Sequence, residues 1–366
     1  MGFNCGIVGL PNVGKSSLFN ALTATAAAES ANFPFTTIEP NVGRVAVPDE
    51  RLYRIAAIAK SNKVTPTQLE FVDIAGLVRG ASRGEGLGNR FLANIREVDA
   101  VVHVLRCFED DNVTHVAGSV DPLRDAEIVE TELLLADLES LERRAAAMTK
   151  RARGGDREAK DLVALMERVL AALREGQPAR ALAVAEAEDK AFRQLQLLSA
   201  KPVLFVCNVE EDAAATGNVW SAQVAAHAAE AGAEAVTISA AIEAEVAAME
   251  DDADKSAFLE SLGLAETGLT RLVRAGYHLL DLITFFTAGP KETRAWTVRR
   301  GTRAPAAAGT IHTDFERGFI RAETIGYEDF ITLGGEQPAR DAGRCRSEGR
   351  DYMVQDGDIL LFRFNV

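Results

Sequence analysis

The chain has 366 residues, 47% hydrophobic and 26% charged, with a mean hydropathy of −0.01. That length exceeds the roughly 250 to 300 residues one hydrophobic core sustains, so two or three domains are expected, and the composition excludes a disordered or membrane-spanning chain. No run approaches the roughly 18 apolar residues of a spanning helix, and MGFNCGIVGL lacks a basic leader and a cleavage site, so a cytoplasmic protein without a membrane partner is expected. The net charge of −14 gives no reason to expect DNA as a partner. Its distribution is uneven: residues 201–280 carry 13 acidic groups against 4 basic, whereas 143–160 carry seven basic groups against Asp156 and Glu158. Four cysteines lie far apart, so no CxxC metal or redox pair exists, and three sit in apolar runs that read as buried reduced thiols.

From the N-terminus, residues 3–8 (FNCGIV) predict a short buried strand, because the apolar run stops at Gly9 and the helical pattern SSLFNALTA follows. Between them Gly9-Leu10-Pro11-Asn12-Val13-Gly14-Lys15-Ser16 satisfies G-x-x-x-x-G-K-[ST] where that motif must sit, between a strand and a helix. Glycines let backbone N–H groups curl around phosphate oxygens, and the helix N-terminus favours negative charge. Lys15 is expected on the β and γ phosphates and the Ser16 hydroxyl on Mg²⁺. Pro34-Phe35-Thr36-Thr37 then supplies a candidate switch threonine, with Thr37 favoured for the metal.

The strand ending in LEFV runs into Asp73-Ile74-Ala75-Gly76, where D-x-x-G would hold magnesium through a water at Asp73 and meet the γ-phosphate through the Gly76 N–H. Ala100–Leu105, Val203–Cys207 and Val236–Ile238 are further apolar strands of the kind parallel sheets bury on both faces. Helix-length segments separate most of them, which predicts a doubly wound α/β sheet. Residues 130–200 interrupt it. Leu134, Leu138 and Leu141, then Leu162, Met166, Val169 and Leu173, repeat at helical spacing on either side of Gly154-Gly155, so an antiparallel helical hairpin with a basic knob near its turn is expected. A merely solvated polar face is the other reading of that charge.

A GTPase places N-K-x-D after its next strand, the Asp accepting guanine protons and the Lys stem packing over the ring. Here PVLFVC ends in Asn208-Val209-Glu210-Glu211. Val209 removes the lysine, and Glu211 carries its carboxylate about 1.3 Å further out. Guanine readout is degraded, so ATP is expected over GTP. Ser239-Ala240, after the strand VTI, supplies the last base-loop element. Beyond residue 280 the runs LITFF, ETRAWTV, GFIRAETI and GDILLFRFNV predict a small, mainly β domain.

Together GLPNVGKSSLFNALT, NFPFTTIEPNVG, DIAGLVRGASRGEGLGNRFL, the N-x-x-E loop and DLITFFTAGPKETRAWTVRRGT resemble the Obg-related P-loop proteins, and most closely the Obg-like ATPases of the YchF type, over essentially the whole chain. The resemblance implies a nucleotide domain in 1–129 and 201–280, a helical coiled-coil insertion in 130–200, and a TGS domain of β-grasp type in 281–366. It carries over Asn12, Val13, Gly14, Lys15, Ser16 and Ser17 around the phosphates, Thr37 and Asp73 at the switches, and Asn208 and Glu211 at the base. Leu77 stands where many GTPases place the catalytic glutamine and cannot orient water; His115 matches a histidine proposed to take over, unless it is only a structural or surface histidine. The resemblance adds a potassium ion assisted by Asn12, and the ribosome, through its large subunit, as partner. Thr36 stands where some relatives have cysteine, so thiol control through that position is impossible here. The function implied is a slow, partner-regulated ATPase switch; a ribosome- or RNA-binding module using nucleotide as a structural ligand, or a GTPase, are the alternatives.

Overall fold

The computed structural model describes residues 3–30, 41–74, 87–110 and 118–365. The N-terminal elements are β1 (Asn4–Val8), α1 (Lys15–Ser30), β2 (Val42–Ala46), α2 (Glu50–Ala59), β3 (Val64–Thr65), β4 (Gln68–Asp73), α3 (Leu87–Glu97) and β5 (Ala100–Arg106). The middle of the chain adds α4 (Pro122–Arg153), α5 (Arg157–Arg174), α6 (Glu186–Gln194), β6 (Val203–Asn208), α7 (Val219–Glu230), β7 (Glu234–Ile238), α8 (Ala240–Ala248), α9 (Asp252–Ser261) and α10 (Gly268–Leu279). The C-terminal part contains β8 (Leu282–Thr287), β9 (Thr293–Arg299), α11 (Ala304–Ile311), α12 (Thr313–Arg317), β10 (Phe319–Gly326), α13 (Tyr327–Leu333), α14 (Glu336–Asp341), β11 (Arg346–Glu348) and β12 (Asp358–Phe364). Two compact units result: Phe3–Gly43 with Glu70–Gly276, and Arg44–Leu69 with Tyr277–Val366.

The larger unit is built on a sheet of order β2-β4-β1-β5-β6-β7. β1 pairs in parallel with both β4 and β5, so successive strands are laid on opposite sides of it. Ligands of open α/β sheets bind at the carboxyl ends of strands where the order reverses in this way, and the chain leaving β1 there is the phosphate motif. Every residue of β5 and β6 is buried, which explains their near-continuous apolar runs. Cys5, Cys107 and Cys207 are buried free thiols, as the sequence suggested.

α4 and α5 form the expected hairpin. Asp121 and Asp156 cap their N-termini, accepting from Arg124 N and Ala159 N at 3.1 Å each, and the turn passes through Gly155 at φ 95°. Leu141, Leu165, Met166, Val169, Leu170 and Leu173 are buried between the helices, so the stripe read from the sequence is the packing face. Arg151 at the tip is exposed and pairs with Asp156 at 3.1 Å.

In the smaller unit the sheet order is β11-β10-β12-β8-β9-β3. β8 and β9 are antiparallel, β12 lies parallel beside β8, and β10 is antiparallel to β12, which is the β-grasp order. One face packs on α11 through Phe285, Val298, Ala307, Ala308, Leu360 and Phe362. The other carries Phe286, Ala295, Ile325 and Ile359 against Leu52 and Ile55 of α2. The sequence division at residue 281 places Arg44–Leu69 with the nucleotide domain, whereas α2 and β3, which lie in this segment, belong with the β-grasp sheet. β3 extends that sheet in parallel with β9, and the apolar face of α2 covers it.

Candidate functional site

β1 delivers the chain to Gly9, where a Cβ would lie 2.7 Å from the Val104 carbonyl oxygen and 2.9 Å from Val13 Cγ2. The loop then passes through two left-handed residues, Asn12 (φ 65°) and Gly14 (φ 90°), before α1 begins at Lys15. Asparagine tolerates that conformation, and at Gly14 a Cβ would stand 2.1 Å from Asn208 Nδ2. Such a turn gathers backbone N–H groups at a helix N-terminus into an anion-binding concavity.

Lys15 Nζ donates to Asp73 Oδ1, and both side chains are mostly buried. The carboxylate at the end of β4 therefore reaches the phosphate loop, which is what the D-x-x-G motif requires of it. Ser16 and Asp73 are hard oxygen donors suited to Mg²⁺, an ion that completes its octahedron with water and phosphate rather than with a full protein cage. Among the described residues no group of three His, Cys, Asp or Glu could hold a metal unaided.

Asn208 ends β6 and is 6% exposed. Its Nδ2 donates to the Val13 carbonyl at 3.0 Å, and its Oδ1 accepts from Ala240 N at 2.9 Å, so one amide braces the phosphate loop against the first turn of α8. The cleft above it has a volume of about 1130 Å³, ample for a nucleoside triphosphate. Asn12, Gly14, Lys15, Ser16 and Ser17 line it from the side of the glycine loop and α1; Asn208, Val209, Glu211, Ser239 and Ala240 line it from the side of β6 and α8. Val13 stands behind the wall, held by Asn208. Ser239 is buried, and among the described residues its hydroxyl finds no partner, which leaves a polar group unspent beside the start of α8. Thr37, Gly76 and His115, together with Thr36 and Leu77, lie outside the described residues.

A third wall was not foreseen. Phe108, Glu109 and Asp110, directly after β5, also line the cleft. Buried Arg106 shapes this loop: its Nε donates to the Phe108 carbonyl at 3.1 Å, a terminal nitrogen donates to the Asp110 carbonyl at 3.3 Å, and the guanidinium lies 4.6 Å from the Phe108 ring centroid. The rule that ligands sit at strand ends beside the order reversal is the signal that points to this loop, because β5 is the neighbour of β1.

A strand, a glycine loop and a helix at the reversal of a parallel sheet, with an aspartate from the adjoining strand on the loop lysine, define a P-loop nucleoside triphosphatase domain. Residues 4–137 match the family described as "50S ribosome-binding GTPase", and residues 282–365 match the YchF GTPase C-terminal family, described as "Protein of unknown function (DUF933)". The chain is 56% identical to the ribosome-binding ATPase YchF of Haemophilus influenzae and 51% identical to that of Bacillus subtilis, covering 100% of both chains in each case. Among solved structures, the Schizosaccharomyces pombe YchF GTPase superposes with a TM-score of 0.90 at 37% identity, over 99% of this chain and 97% of that one. The chain belongs to the YchF family.

Proposed function

We propose that this chain is a slow ATP-hydrolysing switch of the cytoplasm that acts on the large ribosomal subunit. The observation that carries the base preference is the loop after β6. Asn208 keeps its bracing role, while Val209 and Glu211 line the cleft where a guanine site needs a lysine stem and an aspartate. A pocket stripped of its guanine-specific partners loses its reason to prefer that base. Competition titrations test this: ATP is expected to bind more tightly, and GTP bound at least tenfold tighter than ATP overturns it.

Catalysis is positioning and electrostatics. Lys15 and the loop N–H groups stabilise negative charge on the transferred phosphoryl, which requires Lys15 to exchange Asp73 for phosphate oxygens. Ser16, Thr37 and Asp73 would hold Mg²⁺, which supplies charge neutralisation between the phosphates; Asn12 would assist a potassium ion. Since Leu77 cannot orient water, His115 takes that task. His115→Ala is expected to lower single-turnover hydrolysis by about 10²-fold with ATP affinity unchanged; unaltered hydrolysis removes His115 from the site.

The names of the relatives and the "50S ribosome-binding" description of residues 4–137 support the ribosomal partner. So does the basic turn of the hairpin, whose exposed Arg151 is suited to phosphate contact. Reversing the charge of Arg151 and Arg153 is expected to weaken ribosome binding and leave ATP binding intact. That same basic turn also favours a second reading, an RNA-binding module: salt-sensitive ribosome binding identical with ATP, ADP and no nucleotide would select it over the switch.

A further inference from the structure

Glu210 occupies the unspecified third position of the N-x-x-E loop, and its side chain turns toward the third wall of the cleft. Its Oε1 accepts from the backbone N–H of Glu109 at 3.0 Å, and its Oε2 accepts from Asn218 Nδ2 at 3.2 Å. The same Asn218 amide donates to the Cys107 carbonyl at 2.7 Å, while Asn218 Oδ1 caps α7 by accepting from Ser221 N at 3.0 Å. Two loops that follow neighbouring strands are thus latched on either side of Phe108. Arg106 holds the Phe108 and Asp110 carbonyls from the other side.

We propose that Glu210, with Asn218 behind it, is a positioning residue that sets the width of the base slot between Phe108 and the Val209–Glu211 segment. The inference rests on the nucleotide-binding reading above. The hydrogen bonds of the latch join the segments after β5 and β6 to the N-terminus of α7, whereas the brace of the phosphate loop is Asn208. The two ends of the cleft are therefore separable: breaking the latch should loosen the grip on a base and leave the grip on a triphosphate tail alone. Losing a bond that preorganises one wall should cost about tenfold in affinity, about 1.4 kcal/mol.

The test compares ATP with inorganic tripolyphosphate, each titrated calorimetrically in magnesium against the full-length protein. Glu210→Ala is expected to weaken ATP about tenfold, chiefly through faster dissociation, while tripolyphosphate affinity stays within about twofold. Glu210→Gln keeps one acceptor for the Glu109 N–H and should fall between. Asn218→Asp keeps the α7 cap but sets a second carboxylate against Glu210, and should reproduce the Glu210→Ala pattern without removing any Glu210 atom. Equal weakening of both ligands in Glu210→Ala and Asn218→Asp, or no weakening of ATP in either, overturns the latch. Failure of the unaltered protein to bind either ligand would instead sink the nucleotide-binding reading.

Discussion

Asn208 and Gly14 act as a pair. The amide that joins the Val13 carbonyl to the Ala240 N–H lies where a Gly14 side chain would have to go. Gly14→Ala combines a left-handed φ with that collision and is expected to abolish detectable ATP binding while the protein stays folded, as judged by circular dichroism. Asn208→Ala leaves a buried carbonyl and a buried N–H unpaired, at about 1 to 3 kcal/mol each, and should lower both ATP affinity and resistance to urea. A second buried polar group makes a different prediction. His103 on β5 is 3% exposed, its Nε2 has no partner among the described residues, and burial, reinforced by nearby Arg180, lowers its pKa to about 3. Above the ordinary value near 6.5, both folded and unfolded chains hold it neutral, so it contributes no pH dependence. Between 6.5 and 3 only the unfolded chain takes up the proton, so stability falls as pH falls, by about 1.4 kcal/mol per unit. Urea unfolding at pH 7 and pH 5 should therefore show the unaltered protein losing about 2 kcal/mol more than His103→Phe over that interval. Parallel losses in the two proteins would show that His103 does not carry the acid sensitivity.

At the scale of elements, the hairpin shows how one side chain can secure an insertion. Asp137 on α4 is buried and accepts from Leu198 N at 2.9 Å, Ser199 N at 2.8 Å and Ser199 Oγ at 2.6 Å, binding the start of the insertion to the segment that returns to β6. Asp137→Ala strands three buried donors, for a cost of about 3 to 5 kcal/mol. Hydrogen exchange at residues 197–200 should accelerate strongly, with exchange in β1 and β5 affected far less; uniform acceleration would mean that the bond secures the whole unit rather than the hairpin base. The hairpin itself was legible because Leu141, Met166, Val169 and Leu173 keep a helical period on both sides of two glycines. The strands of the parallel sheet were legible for a related reason: burial on both faces leaves their runs mostly apolar, His103, Arg106 and Asn208 being the buried exceptions in β5 and β6. Asp137 was not, because a carboxylate inside an amphipathic helix reads as solvated until its partner, some 60 residues later, is in place. Phe108 was hidden likewise, since a lone aromatic after a strand carries no spacing signal.

For the whole molecule, the informative feature is that the β-grasp unit is discontinuous in sequence. Its strands announce themselves after residue 280, but the helix that covers one face of them comes from Glu50–Ala59, more than 200 residues earlier. Leu52 is 1% and Ile55 0% exposed, packed among Phe286, Ala295, Ile325, Phe330 and Ile359. Arg51 adds a polar clasp: it bonds Asp49 at 2.8 Å and Asp356 at 2.7 Å, and its guanidinium lies 5.5 Å from the Phe286 ring centroid. No local pattern could assign this segment, because the apolar face of α2 looks the same whichever sheet it serves. Truncating a buried Leu or Ile costs about 2 to 5 kcal/mol, and a domain has only about 5 to 15 kcal/mol in all, so a fragment without α2 loses most of its margin. Residues 277–366 produced alone should therefore give collapsed, poorly dispersed amide resonances and no cooperative urea transition. Joining residues 44–69 to that fragment through a flexible Gly/Ser linker should restore both, whereas the same fusion carrying Leu52→Ala and Ile55→Ala should not. A cooperative transition in 277–366 alone, within about 1 kcal/mol of the fused form, would show that the N-terminal segment is an ornament on a self-sufficient domain rather than part of its core.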